Sequence, residues 1–476
     1  MLRSIARGFK NKTLFRGISS ELQELRKEPR EVENYDVVIV GGGPAGLATA
    51  IKLKQLEQEN GKEIKVCLLD KGSEIGSHIL SGNCFETSGF SKLFPDWQNM
   101  PKESRPPIDQ PVTQDAFKIL WKSGHFSIPE VFLPPQVHNQ GNYVISLGRL
   151  CTWMGERAQE LGVDVFAGFA ADELVFDEAG KYVKGIATTD TGIGKDWTPK
   201  SNFQRGMEIH GKQVVLAEGC RGSLTERVMK RFNLRDDCDM QSYGIGLKEV
   251  WEVPPENLIP GLVEHTVGFP LPHNVYGGSF MYHQAPNLIH LGFVVGLDYQ
   301  NPYLNPYQEF QKYKTHPEIS KHLKGGKCIK YGARALNEGG YFAVPKVAFP
   351  GGVLAGCGAG FLNVAKVKGA NNAIVSGLRA AEEIYYHLNF GEFKEGMTLT
   401  SYNQKIKDSK MMKDLYATRN FKGGFKAGLL PGLAHGFLTT VILKGKEFWN
   451  IRNHGRDTGK TLPAKECTVG KSYTAN

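Results

Sequence analysis

Apolar and polar residues follow two different periods along the chain. Residues 36–40 (DVVIV) are a short β-branched run that meets glycines at once, and residues 44–55 place apolar side chains at helical spacing, which predicts strand, tight turn and helix. A second apolar run at 66–69 ends on Asp70 and completes one βαβ unit. Leu147, Leu150, Met154 and Leu161 mark another helix, and LVFDEAGKYVKGIA, turning at 177–180, predicts a hairpin. Residues 214–217 and 353–355 again have the pattern of buried strands running into glycines, at Gly219 and at 356–360. From about 244 to 303 the chain reads as aromatic-rich strands. The fold class expected is α/β (α+β overall): a discontinuous Rossmann-like domain with a β-rich domain threaded through it.

Composition narrows the picture. A chain of 476 residues exceeds what one core serves, so two or three units are expected. With 41% hydrophobic and 22% charged residues, disordered bulk is excluded. The net charge of +9 comes from dispersed residues without a basic-aromatic stripe, which argues against nucleic acid as a partner. Part of that charge lies at Arg3, Arg7, Lys10, Lys12 and Arg16, among apolar residues and with no acid before Glu21. This composition predicts a mitochondrial presequence within 1–30, the alternative being a disordered basic tail. The eight cysteines fall singly, without CxxC or paired histidine spacing, so they read as reduced thiols and no metal site is expected.

Gly41, Gly43 and Gly46 form GxGxxG. The first glycine permits the tight turn, the second lets backbone approach a pyrophosphate, and the third allows close helix–strand packing. The pyrophosphate would sit on the free amides of the helix N-terminus. Asp70, at about the expected distance downstream, is placed for a ribose hydroxyl. The motif opens the folded region, and two further glycine-bearing strand ends follow, which favours FAD over NAD. The run at 356–360 (GCGAG) lacks the last glycine of a second motif, because Phe361 occupies its place. No general acid or base is nominated, and Cys357 reads as a packed thiol.

Two apolar segments stand out. Residues 427–443 (AGLLPGLAHGFLTTVIL) carry no Asp, Glu, Lys or Arg and are flanked by Lys422, Lys426, Lys444 and Lys446. The run is too short and too interrupted to span a bilayer, so it either lies in one leaflet or forms a core helix. Residues 75–94, with Ile79, Leu80, Phe85, Phe90, Leu93 and Phe94, are a second membrane candidate that burial beside a cofactor explains equally. In VYGGSFMYH, Gly277 and Gly278 mark either a bulge or strand crossing, or an opening where a ring-shaped apolar ligand meets bare backbone.

The stretches DVVIVGGGPAGLATA, SHILSG, LFPDW, LAEGCRG, YGIGLKEVWEV, YGGSFMYH, LGFVVGLDYQNPYL, YGARALNEGG and FPGGVLAGCGAGFLNVAKVKG run in order between Tyr35 and Cys467. Together they resemble the electron transfer flavoprotein–ubiquinone oxidoreductase family. The resemblance implies an enzyme on the matrix side of the mitochondrial inner membrane that takes electrons from reduced electron transfer flavoprotein and delivers them to ubiquinone. FAD contacts are implied at Val37, Val38, Gly41, Gly42, Gly43, Pro44, Ala45, Gly46, Asp70, Ser81, Gly82, Gly219, Gly360, Asn363 and Val364, with ubiquinone against Gly277 and Gly278. The domains implied are FAD-binding at 34–235 and 336–390, ubiquinone-binding at 236–335, and a helical membrane-associated segment at 391–476. Contact with the membrane is implied at 75–94 and 427–443.

The family pattern continues into a ferredoxin-like domain whose four cysteines hold a [4Fe–4S] cluster. This sequence departs from the pattern after Cys467, and none of its eight cysteines has the spacing such a cluster needs. The expectation is therefore FAD without the cluster, in an alternative isoform, an incomplete gene model or a natural variant. A flavin reductase of the geranylgeranyl reductase type and an inactive truncated isoform stand as alternatives.

Overall fold

The computed structural model describes residues 18–79 and 82–467; the basic segment 1–17 on which the presequence expectation rests lies outside them, as does Ser81. The first sheet is built around the parallel strands Val32–Val40, Val66–Asp70 and Glu208–Leu216, with Val38 opposite Val214 and Cys67. Gly352–Leu354 extends it on one side and Asp164–Ala167 on the other. The hairpin of Ala171–Phe176 and Val183–Thr188 joins antiparallel to Glu208–Leu216. The central stretches of these strands, 37–40, 66–69 and 213–216, are buried on both faces, and the first two are continuous apolar runs, as parallel sheets favour.

The helix Pro44–Asn60 packs against Ala370–Asn389 over this sheet. Contact is close because Gly377 carries no side chain: a Cβ there would lie 2.3 Å from the Ala45 carbonyl oxygen.

The second sheet has seven strands, in the order Lys327–Asn337, Tyr243–Glu252, Leu288–Gly296, Gly277–Gln284, Leu262–Gly268, Gln114–Trp121, Gly124–Ser127. Its last two strands come from inside the stretch expected to belong wholly to the first domain. Gln114–Trp121 pairs in parallel with Leu262–Gly268, His265 facing Phe117, so the chain crosses between the domains before the boundary anticipated at 236. One face of this sheet rests on the helices Pro306–Lys314 and Pro317–Leu323 through Phe293, Phe310, Tyr313 and Ile319. Its other face turns toward the first sheet.

The two apolar segments part company. Within 75–94, Phe85 and Phe90 are fully buried, Leu93 nearly so, and Phe90 packs edge-on to Trp97, so no membrane contact is available to these side chains; Leu80 lies outside the described residues. The helix Leu429–Phe437 and the π-turn Leu438–Ile442 lie at the surface, with Leu430 69% and Ile442 59% exposed. Val131 and Phe132 stand beside them, 76% and 56% exposed, and the Phe132 and Phe437 rings are 6.5 Å apart. Among the described residues no helix is long and apolar enough to cross a membrane.

Candidate functional site

A continuous cleft of about 930 Å³ lies between the two sheets, at the upper end of the range of small-molecule sites, roughly 300–1,000 Å³. One half is the glycine turn. Gly41 has φ +111°, and a Cβ there would sit 2.4 Å from the Ala217 carbonyl oxygen; at Gly46 it would sit 2.0 Å from the carbonyl oxygen of Gly41. Both positions are therefore closed to any other residue. Gly43 is different: nothing lies within 4 Å of the Cβ it lacks, so its bare backbone faces open cleft. No side chain caps the helix that begins at Pro44, and no acid stands in its first turn, so its amides are free for an anion.

Asp70 closes this half from the end of its strand. Its Oδ2 accepts from the Gly42 N–H at 2.7 Å and its Oδ1 from the Gly72 N–H at 2.7 Å. A carboxylate has about four acceptor sites, so two are left for hydroxyl donors.

The structure sorts the sequence-derived residues by where they face. Gly41, Gly42, Gly43, Pro44, Ala45, Asp70, Gly82, Gly219 and Val364 line the cleft. Val37 and Val38 do not: both are fully buried within their strand, below the turn. Gly46 acts through packing. Gly360, at φ +83°, faces the Gln241 side chain, and Asn363 is buried with its Oδ1 accepting from the Lys366 N–H. Cys357 and Cys220 line the cleft, and burial raises both thiols, Cys220 to about 12, so neither is a thiolate at neutral pH.

The other half is a floor where Gly246 and Gly278 leave backbone bare on either side of Val294. Register puts Gly246 opposite Val294, and Val294 opposite Gly278; one row along, Lys248 stands opposite Gly292, and Gly292 opposite Phe280. Side chains alternate across a strand, so Gly246, Gly278 and Gly292 share the face that carries Lys248 and Phe280. Gly277 lies on the opposite face, where a Cβ would meet Leu271, so the pair expected to act together is split. The Phe280 ring lies flat over Gly292 and stacks on Tyr282 at 4.5 Å and 18°. The Tyr282 hydroxyl meets the His265 Nε2 at 2.9 Å. Burial pushes His265 down to about 3, and Lys368 adds to the effect, so the ring is neutral.

Lys248, Phe280 and Tyr282 carry no individual signal in the sequence, and His265, like His283 and His290, reads there as an ordinary core or surface residue because its spacing is not that of a ligand. A collective signal was present in YGIGLKEVWEV, where Gly244, Gly246 and Lys248 recur with period two, but a face has meaning only once its partner strands are known. At the far end Phe421, Phe425 and Leu433 line the cleft from the C-terminal helices, and Lys422 pairs with the buried Glu338 at 2.8 Å. No cluster of His, Cys, Asp or Glu able to hold a metal occurs among the described residues.

Residues 243–336 match the family model described as ETF-QO, ubiquinone-binding, and residues 35–235 match that of pyridine nucleotide-disulphide oxidoreductases. A mitochondrial electron transfer flavoprotein–ubiquinone oxidoreductase of Mus musculus is 49% identical over 92% of this chain and 71% of its own length. The protein so named in Dictyostelium discoideum is 45% identical over 96% of this chain and 76% of its own. Among solved structures, a geranylgeranyl bacteriochlorophyll reductase-like protein of Thermoplasma acidophilum aligns with TM-score 0.61 at 17% identity, covering 87% of this chain and 98% of that one. A flavin-dependent brominase aligns with TM-score 0.58 at 16% identity, over 85% and 90%. These two likenesses concern the fold.

Proposed function

The chain belongs to the electron transfer flavoprotein–ubiquinone oxidoreductase family, and from that membership we propose that it is an FAD-dependent oxidoreductase passing electrons from reduced electron transfer flavoprotein to ubiquinone. One observation carries the reading: a single cleft joins a dinucleotide-type glycine turn to a face of the second sheet left bare at Gly246 and Gly278. FAD, when bound, supplies the redox chemistry; the chain supplies binding, orientation and exclusion of water.

The residues present fit that group. The amides at the start of Pro44–Asn60 would hold the pyrophosphate beside Gly43, and the two free acceptor sites of Asp70 would take ribose hydroxyls. Gly82, Gly219 and Val364 would flank the cofactor, with Val37, Val38, Gly46, Gly360 and Asn363 supporting from behind. A planar quinone ring suits the bare backbone of Gly246 and Gly278, with the Gly277 backbone completing it and with Val294 and the Phe280 ring that covers Gly292 as apolar walls.

The enzyme works at the matrix face of the mitochondrial inner membrane, held by Val131, Phe132, Leu430 and Ile442, with Lys444 and Lys446 exposed beside them. Supporting this, the helix that exposes Leu430 turns Leu433 into the cleft, giving an apolar tail a route from bilayer to floor.

The test uses the full chain loaded with FAD. Reduced electron transfer flavoprotein and a short-chain ubiquinone analogue should together give turnover; failure of the chemically reduced flavoprotein to reduce the analogue would sink the proposal. Rapid flavin reduction by NADPH would favour the geranylgeranyl-reductase-like reading that the shared fold allows.

A further inference from the structure

Quinone reduction takes up two protons, and a donor built into the wall of the cleft would deliver one at the ring. Lys248 is placed for it. Its side chain rises from the floor one row, about 7 Å, along the strand from Gly246, on the face shared with Gly278, and it lines the cleft. The ammonium donates to the Gly82 carbonyl oxygen at 3.0 Å, at the junction of the two halves, and lies 5.4 Å from the centroid of Phe280. An ammonium has three donors, and this is the one hydrogen bond it makes among the described residues.

Among the described residues no carboxylate neutralises it. Of the acids that line the cleft, Asp70 is held by the Gly42 and Gly72 amides, Glu218 by Leu224 and Thr225, and Glu338 by Lys422, while Glu74 is exposed. On the neighbouring strands the titratable side chains flanking its row are Arg334 and Lys330 on one side and His290 on the other, while Tyr282, His265 and Cys84 line the cleft farther off. A half-buried cation without a counter-charge is costly unless something negative forms next to it.

Resting on the quinone-reductase reading, we propose that Lys248 is the proton donor to ubiquinone. As two electrons reach the quinone, an N–H bond of the Lys248 ammonium breaks and an O–H bond forms on the quinone oxygen nearer to it. The second oxygen takes its proton from solvent, and the neutral amine recovers one from solvent through the mouth of the cleft. The quinone thus gains two electrons and two protons, with reduced electron transfer flavoprotein as the source of the electrons. Burial, reinforced by Arg334, lowers the amine to about 8, so it is charged at neutral pH yet able to give up its proton.

The experiment follows reduction of a ubiquinone analogue by the dithionite-reduced, FAD-loaded full chain between pH 6 and 10, in the wild type, Lys248→Gln and Lys248→Arg. In the wild type the rate should hold level and then fall tenfold per pH unit above about 8. In K248Q it should be lower by roughly 100-fold or more, the usual worth of a positioned acid, and should lose the fall. K248R should behave like K248Q in rate while keeping the charge, because a guanidinium does not release its proton. Quinone affinity, read separately from quenching of flavin fluorescence, should change little in K248R.

A wild-type profile without a fall near 8 overturns the proposal whether or not the variants fold. So does a K248Q enzyme at wild-type rate, or one impaired only in KM. A wild type that binds FAD but reduces no quinone would instead refute the functional reading beneath it.

Discussion

Gly292→Ala puts the floor itself to the test. The added Cβ would lie 2.0 Å from Phe280 Cζ and 2.2 Å from Cε1, whereas carbon atoms settle at roughly 3.5–4.0 Å. The ring must withdraw by about 1.5 Å, and it is stacked on Tyr282 at 4.5 Å. The backbone cannot give instead, since Gly292 is bonded in register between Lys248 and Phe280 on its two neighbouring strands. Overpacking of this kind costs about 1–3 kcal/mol. Phe280→Leu vacates the space of the ring tip and alone costs about 1–2 kcal/mol. The double variant should therefore be more stable than the sum of the singles by at least ~1 kcal/mol. Urea unfolding of the FAD-saturated protein measures all four corners of this cycle, and quinone affinity measured alongside should fall in G292A while FAD affinity holds. A G292A protein within about 0.3 kcal/mol of wild type, or a strictly additive double variant, would refute the geometry.

Asp70→Ala removes acceptors from the Gly42 and Gly72 amides; losing charge-assisted bonds worth about 1.5–3 kcal/mol should weaken FAD binding roughly 10- to 100-fold by fluorescence titration, and unchanged affinity would contradict the assignment. His265, His283 and His290 are pushed by burial from 6.5 to about 3, 3 and 4. The unfolded chain therefore takes up three protons that the folded one refuses, and stability should fall as pH drops below about 6.5, by up to about 4 kcal/mol per unit. Lowered carboxylates, such as Glu318 at about 2, keep their full stabilising contribution above their unfolded value of 4.5 and lose it only below, so a thermal midpoint unchanged between pH 7 and 5 would rule the effect out. Replacing the exposed Phe132 and Leu430 by Asp should abolish co-sedimentation with anionic vesicles without altering FAD content; retained binding would exclude this surface as the membrane contact.

The glycine turn was legible because its constraints are local: Gly41 and Gly46 are dictated by backbone atoms within their own βαβ unit and the adjoining strand end. The floor was not. Gly246, Gly278 and Gly292 lie on three strands, and Gly277 and Gly278, adjacent in sequence, fall on opposite faces once pairing is fixed. Residues 75–94 and 427–443 are both apolar, and composition cannot say which is interior; packing of Phe90 against Trp97 and Trp153 decides it for the first. Gln114–Trp121 escaped notice as part of the second sheet because its partner strand lies about 150 residues away, beyond the reach of any local pattern.

That same crossing strand has a consequence during synthesis. Gln114–Trp121 leaves the ribosome long before Leu262–Gly268, the strand it pairs with; at about 5–20 residues per second it waits some 7–30 s with an open edge. Glu208–Leu216 in turn waits for Gly352–Leu354. Neither sheet closes early, so both become complete only when most of the chain has emerged. A nascent chain halted between those points presents unpaired strands from both sheets at once, which makes this stage the one most in need of a chaperone.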